Sequence, residues 1–291
     1  MKAVIKVPPR RKKRSFALWK VFTVIIGAIG LTTLAIHASD TIRIPGMSLV
    51  AGVGGSAQAP ERCPGDMTYV PTSSGGFCID RYETSAGELC STRSPSNQFE
   101  TSANIARTAC TGVSVKGETP WVNVSLDQAM QICARVGKRL PTNGEWYRAA
   151  LGTPDEVSKS SRACALGHIG QERADKTGMH DDCVSSYGAY DMVGNVWEWV
   201  DGNVVEGQYG GRKLPGEGYV EESDVEGVAV KTGTEPNDAL GKDYFFMNPS
   251  DVRGMFRGGF WSMEEKAGVM SINATIPTSF VGNAVGFRCA K

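Results

Sequence analysis

The chain has 291 residues, 41% of them hydrophobic, which is enough apolar material for a substantial core and excludes an intrinsically disordered composition. The formal net charge is zero, yet the first 39 residues carry eight basic side chains (Lys2, Lys6, Arg10, Arg11, Lys12, Lys13, Arg14 and Lys20) and no acidic one, leaving 23 basic against 31 acidic residues elsewhere. That acidic body excludes nucleic acid as the main partner, because phosphate binding needs a cationic face.

Residues 1–15 read as a basic cytoplasmic tail. Val21–Ile36 is uncharged and mostly apolar, and Phe16–Trp19 extends it past the single Lys20. Residues 16–38 are therefore expected to form a transmembrane signal anchor, with the basic flank holding the N-terminus in the cytoplasm and the rest of the chain exported. A cleavable signal peptide ending near Ala38 is the competing reading, although Ile36 is a mediocre residue for the position three before the cut. The protein is thus expected in the cell membrane, single-pass with its C-terminal domain outside, or secreted after cleavage. Residues 39–62 are rich in Gly, Ala, Ser and Pro and read as a flexible linker. Eight cysteines in an exported protein point to disulfides, and the absence of any C-x-x-C pair gives zinc little support.

A folded domain is expected over residues 63–291. MTYVP from Met67 and the later FCIDRYETS are short β-prone runs separated by Pro71 and the turn residues Ser73–Gly76. Ser125 is placed to cap a helix with Ala129, Ile132, Cys133 and Val136 on its apolar face and Gly137 as its stop. A second helix is predicted from Thr142 through Ala150, with Glu145 at the capping-box position. Beyond Gly152 the pattern becomes irregular, and the acidic stretch Glu217–Glu226 reads as a solvated loop. Such a loop-rich body needs pins, and disulfides or a bound ion would serve. Of the three histidines, His37, His168 and His180 are too scattered to suggest a triad, and His180, beside Asp181 and Asp182, reads as a solvated loop residue. Trp197 and Trp199 in DMVGNVWEWV are expected as core anchors. Asp191 and Glu198 are the acidic side chains of that packed stretch. They suit a hard cation held by carboxylate and backbone oxygens, or, for Glu198, a cap or an ion pair with an arginine such as Arg288.

Four blocks in this order, PWVNVSLDQAMQICARVGKRLPTNGEWYRAA (Pro120–Ala150), YGAYDMVGNVWEWVDG (Tyr187–Gly202), RGGFW (Arg257–Trp261) and GFRC (Gly286–Cys289), resemble the formylglycine-generating-enzyme, or sulfatase-modifying-factor, domain family. The resemblance implies an α+β, C-type-lectin-like fold, loop-rich with small antiparallel sheets. It also implies structural calcium on the Asp191 and Glu198 side chains and the carbonyls of Gly194 and Val196, and a disulfide between Cys133 and Cys289. For the other six cysteines near-neighbour pairing, such as Cys63 with Cys78 and Cys164 with Cys183, is one option. The active enzymes of this family hold copper on two cysteines placed after the Gly-Gly-aromatic block. The corresponding positions here are Met263 and Gly268, and no cysteine lies between Cys183 and Cys289, so no copper and no catalytic residue are expected.

The final segment, residues 257–289, also resembles the variable region of proteins diversified by retroelements that generate sequence diversity. Arg257, Gly258, Gly259, Trp261, Ala267, Gly268, Val269, Pro277, Gly286, Phe287 and Arg288 match its frame. Between them stand side chains of no common type: Phe260, Ser262, Met263, Glu264, Glu265, Lys266, Met270, Ser271, Asn273, Thr275, Ile276, Ser279, Phe280, Val281 and Asn283. If exposed together, these would form a contact patch with anchor and rim. The resulting expectation is a surface-displayed, non-catalytic protein that binds a protein or glycan ligand through this segment. An enzyme of the formylglycine-generating type, or an inactive relative of one, is the alternative.

Overall fold

The computed structural model describes residues 63–155, 163–168 and 170–291. The predicted tail, membrane anchor and linker lie outside those residues. Among the described residues no helix is long and apolar enough to cross a membrane.

The chain opens with a hairpin, β1 (Met67–Thr72) and β2 (Gly75–Asp80), turned at the position that Pro71 and the Ser73–Gly76 run announce. A two-residue pair follows, β3 (Ser85–Ala86) with β4 (Gly112–Val113), and between them lies α1 (Gln98–Ala106), capped by Asn97. No apolar stripe marks α1; its buried residues are the polar Thr101 and Asn104, which explains why periodicity does not announce it.

Both predicted helices form. In α2 (Leu126–Arg135) Ser125 and Gln128 make a reciprocal capping box, and Leu126, Ala129, Ile132 and Cys133 are buried. Val136, expected on that face, falls past the helix end and is exposed. In α3 (Asn143–Ala150) Thr142 and Glu145 cap in the same way, and the Glu145 carboxylate also receives both Arg139 Nη atoms at 2.6 and 2.7 Å. Its buried face carries Trp146, Ala149 and Ala150.

The irregular-looking half of the sequence builds the main sheet. Its nine strands are β5 (Trp197–Val205), β6 (Gln208–Tyr209), β7 (Arg212–Lys213), β8 (Gly218–Ser223), β9 (Ala229–Gly233), β10 (Tyr244–Met247), β11 (Val252–Arg257), β12 (Ile272–Ala274) and β13 (Val285–Phe287). They run in the order β7-β6-β5-β11-β12-β10-β8-β9, with β13 beside β5. The expectation of small antiparallel sheets is therefore corrected. The sheet is large and mixed, because β13 pairs parallel with β5 and β10 parallel with β12. Most of its strands are too short for alternation to show in the sequence. The reading of Glu217–Glu226 as a loop is also corrected: β8 occupies residues 218–223 with Gly218 and Val220 buried, and its glutamates lie on the more exposed positions of the strand.

Two apolar clusters flank this sheet. One joins Trp146 of α3 to Met192, Val200, Phe245, Met255 and Ile272. The other joins Ile132 of α2 to Trp121, Leu140, Trp199, Phe256 and Phe287. Four disulfides, Cys63–Cys78, Cys90–Cys110, Cys133–Cys289 and Cys164–Cys183, use all eight cysteines. The third ties α2 to the residue that follows β13 by two positions.

Candidate functional site

The frame of the C-terminal segment is buried. Arg257 is fully enclosed: its Nε donates to Asn143 Oδ1 at 2.6 Å, Nη1 to the Val269 carbonyl at 2.9 Å, and Nη2 to the carbonyls of Glu226 and Gly227. Its guanidinium lies over the rings of Trp146 and Tyr147, and burial pulls its pKa down to about 10. Gly259 takes φ +90°, and a β-carbon there would stand 2.2 Å from that of Ala267, so the chain turns where only glycine fits. Trp261 is buried, and its indole donates to the Gln171 carbonyl at 3.0 Å. Arg288 donates through Nε and Nη2 to the two Glu198 oxygens at 2.7 and 2.6 Å, and to the carbonyls of Asp80, Arg81 and Tyr190.

The residues between these fixed points divide into three groups. Phe260, Met263, Glu264, Glu265, Lys266 and Asn273 line one hollow of about 460 Å³, completed by Trp197 and Phe246. Its walls are apolar: Trp197 and Phe246 meet edge to face at 6.2 Å, and half-buried Phe260 and Met263 pack on the core beneath. Its rim is charged. Glu265 pairs with Lys242 at 3.0 Å, Lys266 holds its ammonium 4.1 Å from the Tyr244 ring centre, and Glu264 is exposed. Ser279, Phe280, Val281 and Asn283 belong to a different stretch of surface; Asn283 lines a second, polar hollow of about 720 Å³ with Asn123, Gln171 and Lys176 among others. Ser262, Met270, Thr275 and Ile276 are half-buried beside these surfaces.

Ser271 is a correction. It is fully buried, its hydroxyl donating to the Lys266 carbonyl at 2.6 Å and accepting the Tyr244 amide at 3.2 Å, so it holds the segment together from inside. Trp197, expected only as a core anchor, also forms a wall of the hollow, and Phe246 was not expected there at all. The sequence carried no signal for Phe246, because all four residues of β10 are aromatic or apolar; only the structure alternates them, with Tyr244 and Phe246 half-exposed and Phe245 and Met247 buried.

The predicted calcium ligands do not fit calcium. Both Glu198 oxygens face donors, Arg288 on each and the Trp146 indole at 2.6 Å on Oε2, which is the ion-pair alternative for this residue. Asp191 Oδ2 accepts the Gly178 amide at 2.6 Å. Behind them lies Glu83, unremarked in the sequence, accepting from Asn195 Nδ2 at 2.6 Å and the Val196 amide at 3.2 Å. Burial first, then the charges of Asp191 and Glu198, pushes Glu83 well above the carboxylate range, and burial carries Asp191 up to about 6. Among the described residues no cluster of three or more His, Cys, Asp or Glu side chains is arranged to hold a metal ion. The histidines are closer than expected. His180 Nε2 lies 2.9 Å and His168 Nδ1 3.7 Å from the same Asp175 oxygen, while the neighbouring Asp181 pairs with Lys116. His37 lies outside the described residues.

Family comparison bears on this arrangement. The model of the sulfatase-modifying factor enzyme 1-like domain matches residues 34–291. The chain belongs to that family. A similar family relative is the inactive C-alpha-formylglycine-generating enzyme 2 of Bos taurus, 29% identical over 148 residues, or 44% of this chain and 49% of that one. The chain spans about half the length of the curated relatives it matches first. Among solved structures, similar ones include the Major Tropism Determinant U1 variant (TM-score 0.44, 18% identity, 78% of this chain and 52% of that one) and Treponema denticola variable protein 1 (TM-score 0.39, 14% identity, 77% and 98%). Met263 and Gly268, the positions that the resemblance sets against the active enzymes' copper cysteines, lie in a wall of the hollow and buried behind it. Every cysteine is in a disulfide.

Proposed function

We propose that this member of the family binds a ligand without turning it over, through the hollow between β5, β10 and the segment 260–273, on a domain of C-type-lectin-like type. One observation carries the reading: six side chains of unlike chemistry converge on an apolar hollow while Trp261, Ala267, Val269, Ser271 and Ile272 between them are locked in the core. An apolar floor of aromatic and thioether groups with a charged rim is the anatomy of a recognition site, where desolvated anchors supply affinity and the rim supplies selectivity. The ligand is a protein or glycan met at the cell surface, with the N-terminal segment as membrane anchor. Variation of the six positions by a diversity-generating retroelement accords with their mixed chemistry.

The test uses the full-length protein on protein and glycan arrays, beside a Phe260→Ser, Met263→Ser, Asn273→Ala variant. Discrete signals should fall at least about tenfold in the variant, with its melting temperature nearly kept because these side chains are only half-buried. Signals that survive the triple change would exclude this hollow. Robust aldehyde formation on a cysteine-containing sulfatase peptide in the presence of copper would favour the enzyme reading instead.

A further inference from the structure

Behind the hollow two carboxylates meet, and among the described residues no cation stands between them. Asp155 follows α3 and Asp243 precedes β10, and both press on the same side of Gly268. A β-carbon on that glycine would lie 1.7 Å from Asp243 Oδ1 and 2.4 Å from Asp155 Oδ1, so the two oxygens stand side by side. Asp243 is fully buried, and its Oδ1 has no hydrogen-bond partner. The other contacts run to the hollow's own segment: the Val269 amide donates to Asp155 Oδ1 at 3.1 Å and the Met270 amide to Asp243 Oδ2 at 2.5 Å.

Among the described residues the charges nearby do not neutralise two anions. Arg257 faces Asp243 from β11, but its own nitrogens donate to Asn143, Val269, Glu226 and Gly227. Lys242, the preceding residue, turns away to Glu265 and Asp238. Two adjacent carboxylates, Asp243 fully buried and Asp155 half-buried, cannot both ionise cheaply, and a proton placed between them satisfies the orphaned oxygen in the least space.

We propose that Asp155 and Asp243 share one proton, and that this acid pair is a pH-sensitive latch on the segment 266–271. With the proton in place, Oδ1 of Asp243 is satisfied and the pair holds the amides of Val269 and Met270, and through them the backbone that positions Lys266 at the rim. Loss of the proton sets two negative oxygens against each other and releases that backbone. Burial raises both carboxyls, Asp155 to about 7 and Asp243, beside the charge of Asp155, well above the ordinary carboxylate value, so Asp155 ionises first and the shared proton is the one retained by Asp243 and released above neutral pH. The latch stands independently of what the hollow binds; only its effect on binding rests on the function proposed above.

Hydrogen exchange of the full-length protein, corrected for the intrinsic pH dependence of exchange, tests this directly. Above about pH 7 the peptide spanning 266–271 should lose protection by roughly tenfold per pH unit once the pair gives up its last proton, while α3 does not. Asp243→Asn, which supplies a permanent donor, should flatten that dependence, and Asp155→Asn serves the same purpose if the first variant does not fold. The infrared carbonyl band of protonated carboxyl groups should be present in the wild-type protein at about pH 6 and be weaker in either variant, the remainder belonging to other raised carboxyls such as Glu83. An equal pH slope in a folded variant, or a band that neither variant weakens, would overturn the latch. Protection restored at high pH by added calcium would overturn it too, showing that the pair holds a cation and not a proton.

Discussion

Arg257 and Arg288 show how one residue type serves two purposes when its partners differ. Both are fully buried, but Arg288 meets a carboxylate whereas Arg257 meets carbonyls and an amide oxygen. Burial therefore lowers the pKa of Arg257, whereas at Arg288 the burial penalty is outweighed by the charge and hydrogen bonds of Glu198 together with the nearby Glu83 and Asp191, and its pKa is raised. The Arg288–Glu198 pair is the more fragile, because removing one member leaves a charge in a dry site. Arg288→Met should cost about 3–5 kcal/mol in denaturant unfolding, and adding Glu198→Gln should recover much of it. A loss within about 0.5 kcal/mol would show that water reaches Glu198. At this scale the sequence was legible for the frame, since large aromatics, glycine pairs and a lone arginine in an apolar run have few alternatives to burial. It was not legible for Ser271, whose small polar side chain suits a surface as well as a core with two backbone partners.

Among the elements, α2 and β13 are far apart in sequence and are joined by Cys133–Cys289, with Cα atoms 5.6 Å apart across a separation of 156 residues. A bridge that closes so long a loop removes much freedom from the unfolded chain. Replacing both cysteines by alanine should lower stability by about 2–5 kcal/mol, measured by chemical unfolding with the other three bridges intact. A smaller loss than replacement of Cys90 and Cys110, which close 20 residues, would run against the entropic account. The helices were legible because each carries an explicit start signal, Ser125 with Gln128 and Thr142 with Glu145. The strands after Gly152 were not, because, β5 apart, they are pieces of two to six residues that take their register from neighbours distant in sequence, as β13 does beside β5.

Across the whole molecule, buried carboxyls set the response to pH. Asp80, Glu83, Asp155, Asp191 and Asp243 are all raised, with burial as the leading cause. In the unfolded chain these groups lose their protons near pH 4, roughly, whereas the folded protein retains some of them toward neutrality. The folded state therefore binds more protons in that window, and stability should fall as pH rises from about 5 to about 8. The lowered carboxyls Glu145, Asp175 and Asp224 act in the opposite sense, and their contribution is lost on stronger acidification. Urea unfolding across this range, with disulfides intact, should place the maximum on the acidic side of neutral. A maximum above about pH 8 would mean that the buried carboxyls are ionised and paired.

By itself the sequence determined the family frame, the two capped helices and the use of its cysteines in disulfides, since each depends on residue identity or on neighbours within one turn. Tertiary structure decided which residues between Arg257 and Cys289 face a common hollow, that Phe246 joins them from another strand, that Glu198 bonds Arg288, and that Asp155 and Asp243 meet. These are contacts between segments many residues apart, and a local pattern carries no record of which distant strand will lie beside it.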